Sequence, residues 1–177
     1  MKKWVVNHMR SLAAWDRVLS AYLTLPEHAR WSRRAAALGA HLGDSWLWLL
    51  VAAIALLLGD GSVRRWVLIT LLAVVLSVSV TMLLKALVHR QRPQRHRGFY
   101  SSSTSDRYSF PSGHATRMAS IAVIIGSRSS WAAAILYPWA VLVSLCRVFL
   151  GLHYLGDIVV GFMIGLMCSW LLLTVVQ

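Results

Sequence analysis

The sequence predicts an all-α integral membrane protein, a helical bundle with five to six transmembrane helices. Of its 177 residues, 58% are apolar and only 14% are charged, against about 25% charged residues in soluble domains. Two runs without a charge, at 66–84 and 158–176, each approach the roughly 20 residues that cross a hydrocarbon core. This composition argues against a disordered chain and against an ordinary soluble enzyme.

The N-terminal segment is predicted to form an amphipathic helix that lies in the membrane interface. Residues 5–25 carry apolar side chains at helical spacing, interrupted by charges such as Arg10 and Arg17. A sixth spanning helix is the alternative interpretation of this segment. Aromatic side chains suited to the headgroup boundary lie in the same segment, at Trp4, Trp15 and Tyr22.

A change of composition after this helix predicts the division of the chain. Pro26 ends the helix, and residues 27–34 read as a polar connector. We therefore expect an N-terminal amphipathic segment at 1–34 and a membrane domain at 35–177.

The next predicted helix covers residues 45–58, which are too few to span a membrane. It reaches spanning length only if residues 35–44 belong to it. His41 and Asp44 would then lie at membrane depth or at its edge. They are expected to form a structural polar pair or a lateral wall of a site.

Two further helices are predicted between the uncharged runs. Residues 131–146 form an apolar segment in which Pro138 is expected to produce a kink. Residues 111–127 are short and carry Arg117 near their start, so we place this helix inside the bundle. Arg117 is expected either to neutralise Asp44 or another buried acid, or to contact a second phosphate group.

The last predicted helix, at 158–176, contains a GxxxG spacing at Gly161 and Gly165. This spacing permits a close helix contact, although it is common by chance in apolar helices.

Three polar segments carry the unusual residues of the chain. The first holds Lys85 and Arg92-Pro93, the second is Phe110-Pro-Ser-Gly-His114, and the third joins Arg147, His153 and Asp157. If the helices cross the membrane in alternation, all three segments lie on the same membrane face. Ionisable residues are costly near a bilayer, so their clustering indicates a function.

The cations of this cluster predict a site for phosphate. Lys85, Arg92 and Arg147 would surround a small polar loop, and arginine forms forked contacts with phosphate oxygens while lysine acts as a point charge. Ser112 and Gly113 stand at a helix start, where backbone N–H groups and the helix dipole favour the same anion.

The histidines add catalysis to anion binding. His153 and Asp157 are four residues apart and face each other on a helical turn. The carboxylate would fix the ring tautomer and make the other nitrogen a nucleophile. His114 is placed to protonate a leaving oxygen. We expect Asp157 to be the only carboxylate in the core of this cluster. Asp106 lies nearby but is too isolated to hold a divalent ion. We therefore expect a site with no metal and no cofactor.

These residues together resemble the three-part motif of the type 2 phosphatidic acid phosphatase (PAP2) superfamily. The motifs cover residues 85–157, and with flanking helices the resemblance covers most of the chain after residue 35. It implies a membrane phosphatase that hydrolyses lipid phosphates or diphosphates through a phosphohistidine. The family usually has serine before the arginine of the third motif, where this chain has Cys146. The roles that the resemblance implies are His153 as nucleophile, His114 as general acid, Asp157 as activator of His153, and phosphate contacts from Lys85, Arg92, Ser112, Gly113 and Arg147.

Two other functions remain open at this point. The same site would serve a phosphotransferase, and the cationic cluster alone would suit a non-enzymatic anion-binding membrane protein. Nucleic-acid binding is disfavoured because the basic residues are not interleaved with aromatics on a soluble surface. The expected partners are a lipid phosphate or diphosphate substrate and membrane lipids, and the oligomeric state is left open. A solvated or headgroup-facing surface is expected for Arg95, His96, Arg97 and Arg107.

The orientation in the membrane is also open from the residues. Dense basic residues on the catalytic face favour a cytoplasmic location by the positive-inside rule, yet an anionic substrate requires the same residues. Three cations on the opposite face argue the other way: Arg64, Arg65 and Arg128. Analogy with the family in bacteria favours the inner membrane with the site facing the periplasm.

Overall fold

The fold is all-helical in the part of the chain that the structure describes. The computed structural model describes residues 2–93 and 108–176, and among the first ten residues it places only the side chains of Trp4 and His8. The seven helices found there are α1 (Lys2–Leu23), α2 (Arg30–His41), α3 (Ser45–Leu58), α4 (Gly61–Val88), α5 (Gly113–Gly126), α6 (Ser130–Phe149) and α7 (Leu155–Val176).

Three of the described helices are long and apolar enough to cross a membrane, namely α4, α6 and α7. A fourth span results if α2 and α3, which meet at a bend of 42°, count as one broken span. The prediction of five to six spans and of an interfacial N-terminal helix therefore stays a prediction. The long apolar helices expose large apolar side chains over much of their length, as lipid-facing surfaces do.

The expected polar connector at 27–34 is only partly correct. Helix α2 begins at Arg30, so five residues of that connector, including the predicted boundary at residue 34, lie within a helix. The helix then stops at His41, and Asp44 takes an extended conformation with ψ of 146° before α3 starts. At this break Asp44 is the N-cap of α3, its carbonyl accepts from Trp48 N, and its side chain is turned toward α5.

Helix α5 lies at the centre, as predicted from its length and its arginine. It packs against α4, α6 and α7, and nine of its 14 residues are buried. Hydroxyl pairs join it to α4: Ser77 to Ser120 at 2.8 Å and Thr81 to Thr116 at 3.0 Å. These pairs satisfy buried polar groups inside an apolar bundle.

The GxxxG spacing of α7 is used for a close approach to α5. A Cβ atom at Gly161 would lie 2.6 Å from the carbonyl oxygen of Ser112, and one at Gly165 would collide with the carbonyl oxygen of Thr116. Small residues at these positions let the two backbones meet. This contact brings the start of α5 beside the first turn of α7.

Candidate active site

Backbone and side-chain contacts bring the three polar segments together in one place. Lys85 Nζ donates at 3.3 Å to the carbonyl of Tyr108, two residues before the second segment, which places the first segment beside the second. Arg92 Nη1 donates to the carbonyl of Leu152 at 3.1 Å, which joins the first to the third. Ser112 N donates to the carbonyl of Asp157 at 2.9 Å, which joins the second to the third. The predicted convergence is therefore present.

The cationic side chains come from the ends of two helices and the loop after one of them. Lys85 lies in the last turn of α4 and Arg147 in the last turn of α6, and both are buried. Arg92 follows α4 and is half-buried. A cation near a helix C-terminus is stabilised by the helix dipole, which helps to hold these charges in the bundle.

The start of α5 supplies donors that face the same region. Ser112 is the N-cap, and its Oγ accepts from the backbone N–H of Ala115. Among the described residues, the structure gives no acceptor for the N–H groups of Gly113 and His114. First-turn N–H groups of this kind bind anions. The N–H of Ser112 already donates to the Asp157 carbonyl. Ser112 therefore contributes to an anion site by capping α5 and not by donating its own N–H.

His153 is held in one tautomer by the backbone. The ring is buried, and Nδ1 lies 2.8 Å from the carbonyl oxygen of Ser109. A carbonyl oxygen can only accept, so Nδ1 carries the proton and Nε2 keeps its lone pair. Asp157 Oδ2 is farther from Nδ1, at 3.6 Å. Ser109 is thus the hydrogen-bond partner of His153, and Asp157 acts on the ring electrostatically.

Asp157 is fixed by groups other than His153. Its Oδ2 accepts from the backbone N–H of Tyr154 at 2.8 Å, and its Oδ1 accepts from Arg90 Nη1 at 2.8 Å. The carboxylate is fully buried. Asp157 is among the site residues predicted from the sequence, whereas Ser109 and Arg90 are not.

His114 pairs with a carboxylate that the sequence analysis did not assign to the core of the cluster. Its Nε2 lies 3.0 Å from Asp44 Oδ1, and His41 Nδ1 lies 2.7 Å from Asp44 Oδ2. The expectation that Asp157 is the only carboxylate in the core is therefore wrong. Asp44 reaches His114 because the break between α2 and α3 projects it toward α5, a contact between residues 70 positions apart.

Arg117 lies beside this pair rather than in the phosphate pocket. Its Nη2 donates to the carbonyl of Gly43 at 2.8 Å, next to Asp44. Of its two predicted roles, the placement favours charge compensation of Asp44. The predicted surface residues at 95–97 and 107, and Asp106, lie outside the described part of the chain.

No three His, Cys, Asp or Glu side chains within 2–93 and 108–176 come together as a metal site. The two carboxylates at the site, Asp44 and Asp157, bind histidine, arginine or backbone donors, and the remaining cations and N–H groups suit an anion.

The His153 ring should stay uncharged far into the acid range. Burial lowers its pKa from 6.5 to about 4; the Asp157 carboxylate opposes this shift, and Arg147 and Arg92 add to it. An NMR titration of the detergent-solubilised protein should therefore show a midpoint near pH 4 for His153, with its signals assigned by their loss in His153→Asn. Between pH 6.5, the ordinary pKa that His153 has in the unfolded chain, and its folded-state pKa of about 4, only the unfolded chain binds this proton. The folded state therefore loses stability as the pH falls from 6.5 to about 4. A midpoint at the ordinary value of histidine would contradict this assignment.

Comparison with known proteins identifies relatives over most of the chain. The family model of the PAP2 superfamily matches residues 66–177. A decaprenylphosphoryl-5-phosphoribose phosphatase of Mycobacterium tuberculosis is 30% identical over 128 residues, which are 71% of this chain and 70% of that protein.

Two solved structures share the fold. The PAP2 type phosphatidylglycerolphosphate phosphatase of Bacillus subtilis has a TM-score of 0.75 at 24% identity, over 97% of this chain and 89% of that one. Aquifex aeolicus LpxE has a TM-score of 0.71 at 22% identity, over 88% of this chain and 93% of that one. With the family match over residues 66–177, these findings establish that the chain is an integral membrane protein that belongs to the PAP2 superfamily.

Proposed function

We propose that the chain is a metal-independent lipid phosphatase that works through a phosphohistidine on His153. The observation that carries this proposal is the hydrogen bond from Nδ1 to the Ser109 carbonyl, which leaves the Nε2 lone pair available in a cationic site. The similarity to a named phosphatase of a polyprenyl-linked phosphate supports a lipid substrate.

The first step forms a P–N bond and breaks a P–O bond. Nε2 of His153 attacks phosphorus in line with the leaving oxygen, while Lys85, Arg92 and Arg147 stabilise the charge on the transferring group. Gly113 and His114 add backbone N–H donors at the start of α5. Cations that are already fixed by the bundle need no rearrangement when the charge develops.

His114 delivers the proton to the leaving oxygen. Because the Asp44 carboxylate accepts from Nε2, the transferable proton is on Nδ1 of the protonated ring. Asp44 stabilises that protonated form among the surrounding cations. In the second step His114 takes a proton from water, and the resulting hydroxide oxygen attacks phosphorus and releases phosphate from His153.

A groove between α3 and α4 offers a place for the lipid tail. It has a volume of about 680 Å³, and its lining is mostly apolar. Arg117 lines the end that lies near the Asp44–His114 pair. We assign this groove to the acyl or isoprenoid tail, with the phosphate reaching the cationic site from the bilayer.

The membrane location is proposed as a bacterial inner membrane with the site facing the periplasm. Arg128 stacks over the Trp66 ring at 4.4 Å, and Arg65 donates to the carbonyl of Val176 at 3.3 Å. These cations mark the end of the bundle opposite to Lys85. By the positive-inside rule, a basic end that carries no site residues favours the cytoplasmic side.

The proposal is tested with purified protein in detergent and a panel of phosphatidate, phosphatidylglycerophosphate, a polyprenyl diphosphate and a polyprenyl-phosphoryl phosphoribose. We expect release of inorganic phosphate from at least one substrate, and an unchanged rate in excess chelator. Loss of activity in chelator that a divalent metal restores would overturn the metal-independent mechanism. Absence of phosphate release from every member of the panel would overturn the lipid phosphatase itself.

A further inference from the structure

Arg90 occupies a central position beside the site, although it belongs to none of the predicted roles. Its guanidinium donates from Nη1 to Asp157 Oδ1 at 2.8 Å and from Nη2 to Asp16 Oδ2 at 2.7 Å. The same group stacks on the Tyr154 ring, 3.9 Å from its centroid. Two carboxylates and an aromatic face therefore fix one side chain in one orientation.

The backbone of the same residue holds the other partner of His153. The carbonyl of Arg90 accepts from Ser109 N at 2.8 Å and from Ser109 Oγ at 3.4 Å. Ser109 in turn accepts from His153 Nδ1. Residue 90 thus places both groups that face Nδ1, the Ser109 carbonyl through its backbone and the Asp157 carboxylate through its side chain.

The second carboxylate on Arg90 comes from the N-terminal helix. Asp16 lies on α1, and its Oδ1 accepts from the backbone N–H of Gly156 at 2.9 Å. Ser20, one turn later, accepts at Oγ from Leu155 N at 2.9 Å. Helix α1 therefore docks on the first turn of α7, beside Asp157, through donors that a helix start leaves unpaired.

We propose that Asp16 and Arg90 are positioning residues for His153, and that α1 is a component of the active site through them. This inference rests on the proposed phosphatase function. Asp16 neutralises part of the Arg90 charge and keeps its fork aimed at Asp157. Without Asp16 the guanidinium is free to turn away from Asp157. The carboxylate then keeps the Tyr154 N–H as a partner but shifts relative to the His153 ring. The contacts of both residues are with protein groups around His153, so we expect the effect on the rate of the chemical step rather than on substrate binding.

The decisive variant is Asp16→Asn, measured with the panel substrate that the native protein hydrolyses fastest. The amide oxygen still accepts from Gly156 N, so docking of α1 is kept, whereas the ion pair with Arg90 is lost. We expect kcat to fall about 10-fold to 100-fold, as for other residues that orient a catalytic group, with KM within about twofold of native.

Ser20→Ala is the matched control. It removes a second side-chain hydrogen bond between α1 and α7, the one from Leu155 N. The contact of Ser20 with Asp16, at 3.4 Å, is to Oδ1 and not to the oxygen that faces Arg90. We expect kcat of this variant to stay within about twofold of native. An equal loss in both variants would show that docking of α1 in general matters and would overturn the inference.

A double-mutant cycle tests whether Asp16 and Arg90 act as one unit. Arg90→Lys offers a point charge that cannot bridge both carboxylates, so it should also lower kcat. The kcat of the double variant Asp16→Asn/Arg90→Lys should be no lower than the kcat of the less active single variant. If the native protein is active and Asp16→Asn has an unchanged kcat, this inference is overturned and the proposed function is not. A native protein that is inactive on the whole panel would overturn the proposed function and this inference with it.

Discussion

His153→Asn should lower turnover by about 10⁴-fold or more, because removal of a nucleophile leaves only the contribution of the binding groups. Asparagine places its amide nitrogen where His153 has Nδ1, so it can still donate to the Ser109 carbonyl, and the buried site should stay folded. Its amide nitrogen has no lone pair for attack on phosphorus. The measurement is the rate of phosphate release from the best panel substrate.

Two controls separate loss of chemistry from loss of structure. Inorganic phosphate should still protect the variant against thermal unfolding, since Lys85, Arg92 and Arg147 remain. Brief incubation with a ³²P-labelled substrate should label the native protein with an acid-labile phosphate and leave the variant unlabelled. Labelling of the variant, or retention of more than about a hundredth of the native rate, would refute His153 as the nucleophile.

His114→Ala should lower kcat/KM by about 10²-fold to 10⁴-fold on a lipid phosphomonoester, the usual contribution of a general acid. The loss should depend on the leaving group. An alkoxide needs a proton when the P–O bond breaks, whereas p-nitrophenolate leaves without one. On p-nitrophenyl phosphate the loss should therefore stay within about tenfold. The parameter kcat/KM is the appropriate one because it reports the steps up to the phosphoenzyme.

Asp44→Asn is the companion variant. It keeps the shape of the carboxylate that contacts His114 and His41 but removes its charge. We expect kcat/KM to fall less than in His114→Ala, because the imidazole remains, and the fall should depend on the leaving group in the same way. Equal losses of His114→Ala on both substrates would contradict its role as the acid.

The convergence of the three polar segments was predictable from the sequence because their motifs stand at helix ends. Lys85, Ser112 and Arg147 are placed by local helix geometry, so the alternation of apolar helices is enough to put them on one face. The central position of α5 followed in the same way, from a helix too short and too interrupted by Arg117 to face lipid on all sides.

The groups that orient the histidines were not predictable by the same means. Asp44 meets His114 across 70 positions and Asp16 meets Arg90 across 74, and neither contact has a local pattern. The Ser109 carbonyl is a backbone group, so the residue type at position 109 does not predict it as the acceptor for His153. One signal was available: the chain has only 6 acidic residues against 18 basic ones, so each acid near the bundle has a cation or imidazole to bind. Asp16, Asp44 and Asp157 do so.

The main-chain acceptor on His153 has a regiochemical consequence. With Nδ1 donating to a peptide oxygen, the proposed phosphohistidine is expected as the tele isomer, on Nε2, because Nδ1 carries a proton and has no free lone pair. No substitution of the residue-109 side chain deletes that oxygen, so the choice of isomer is built into the polypeptide itself.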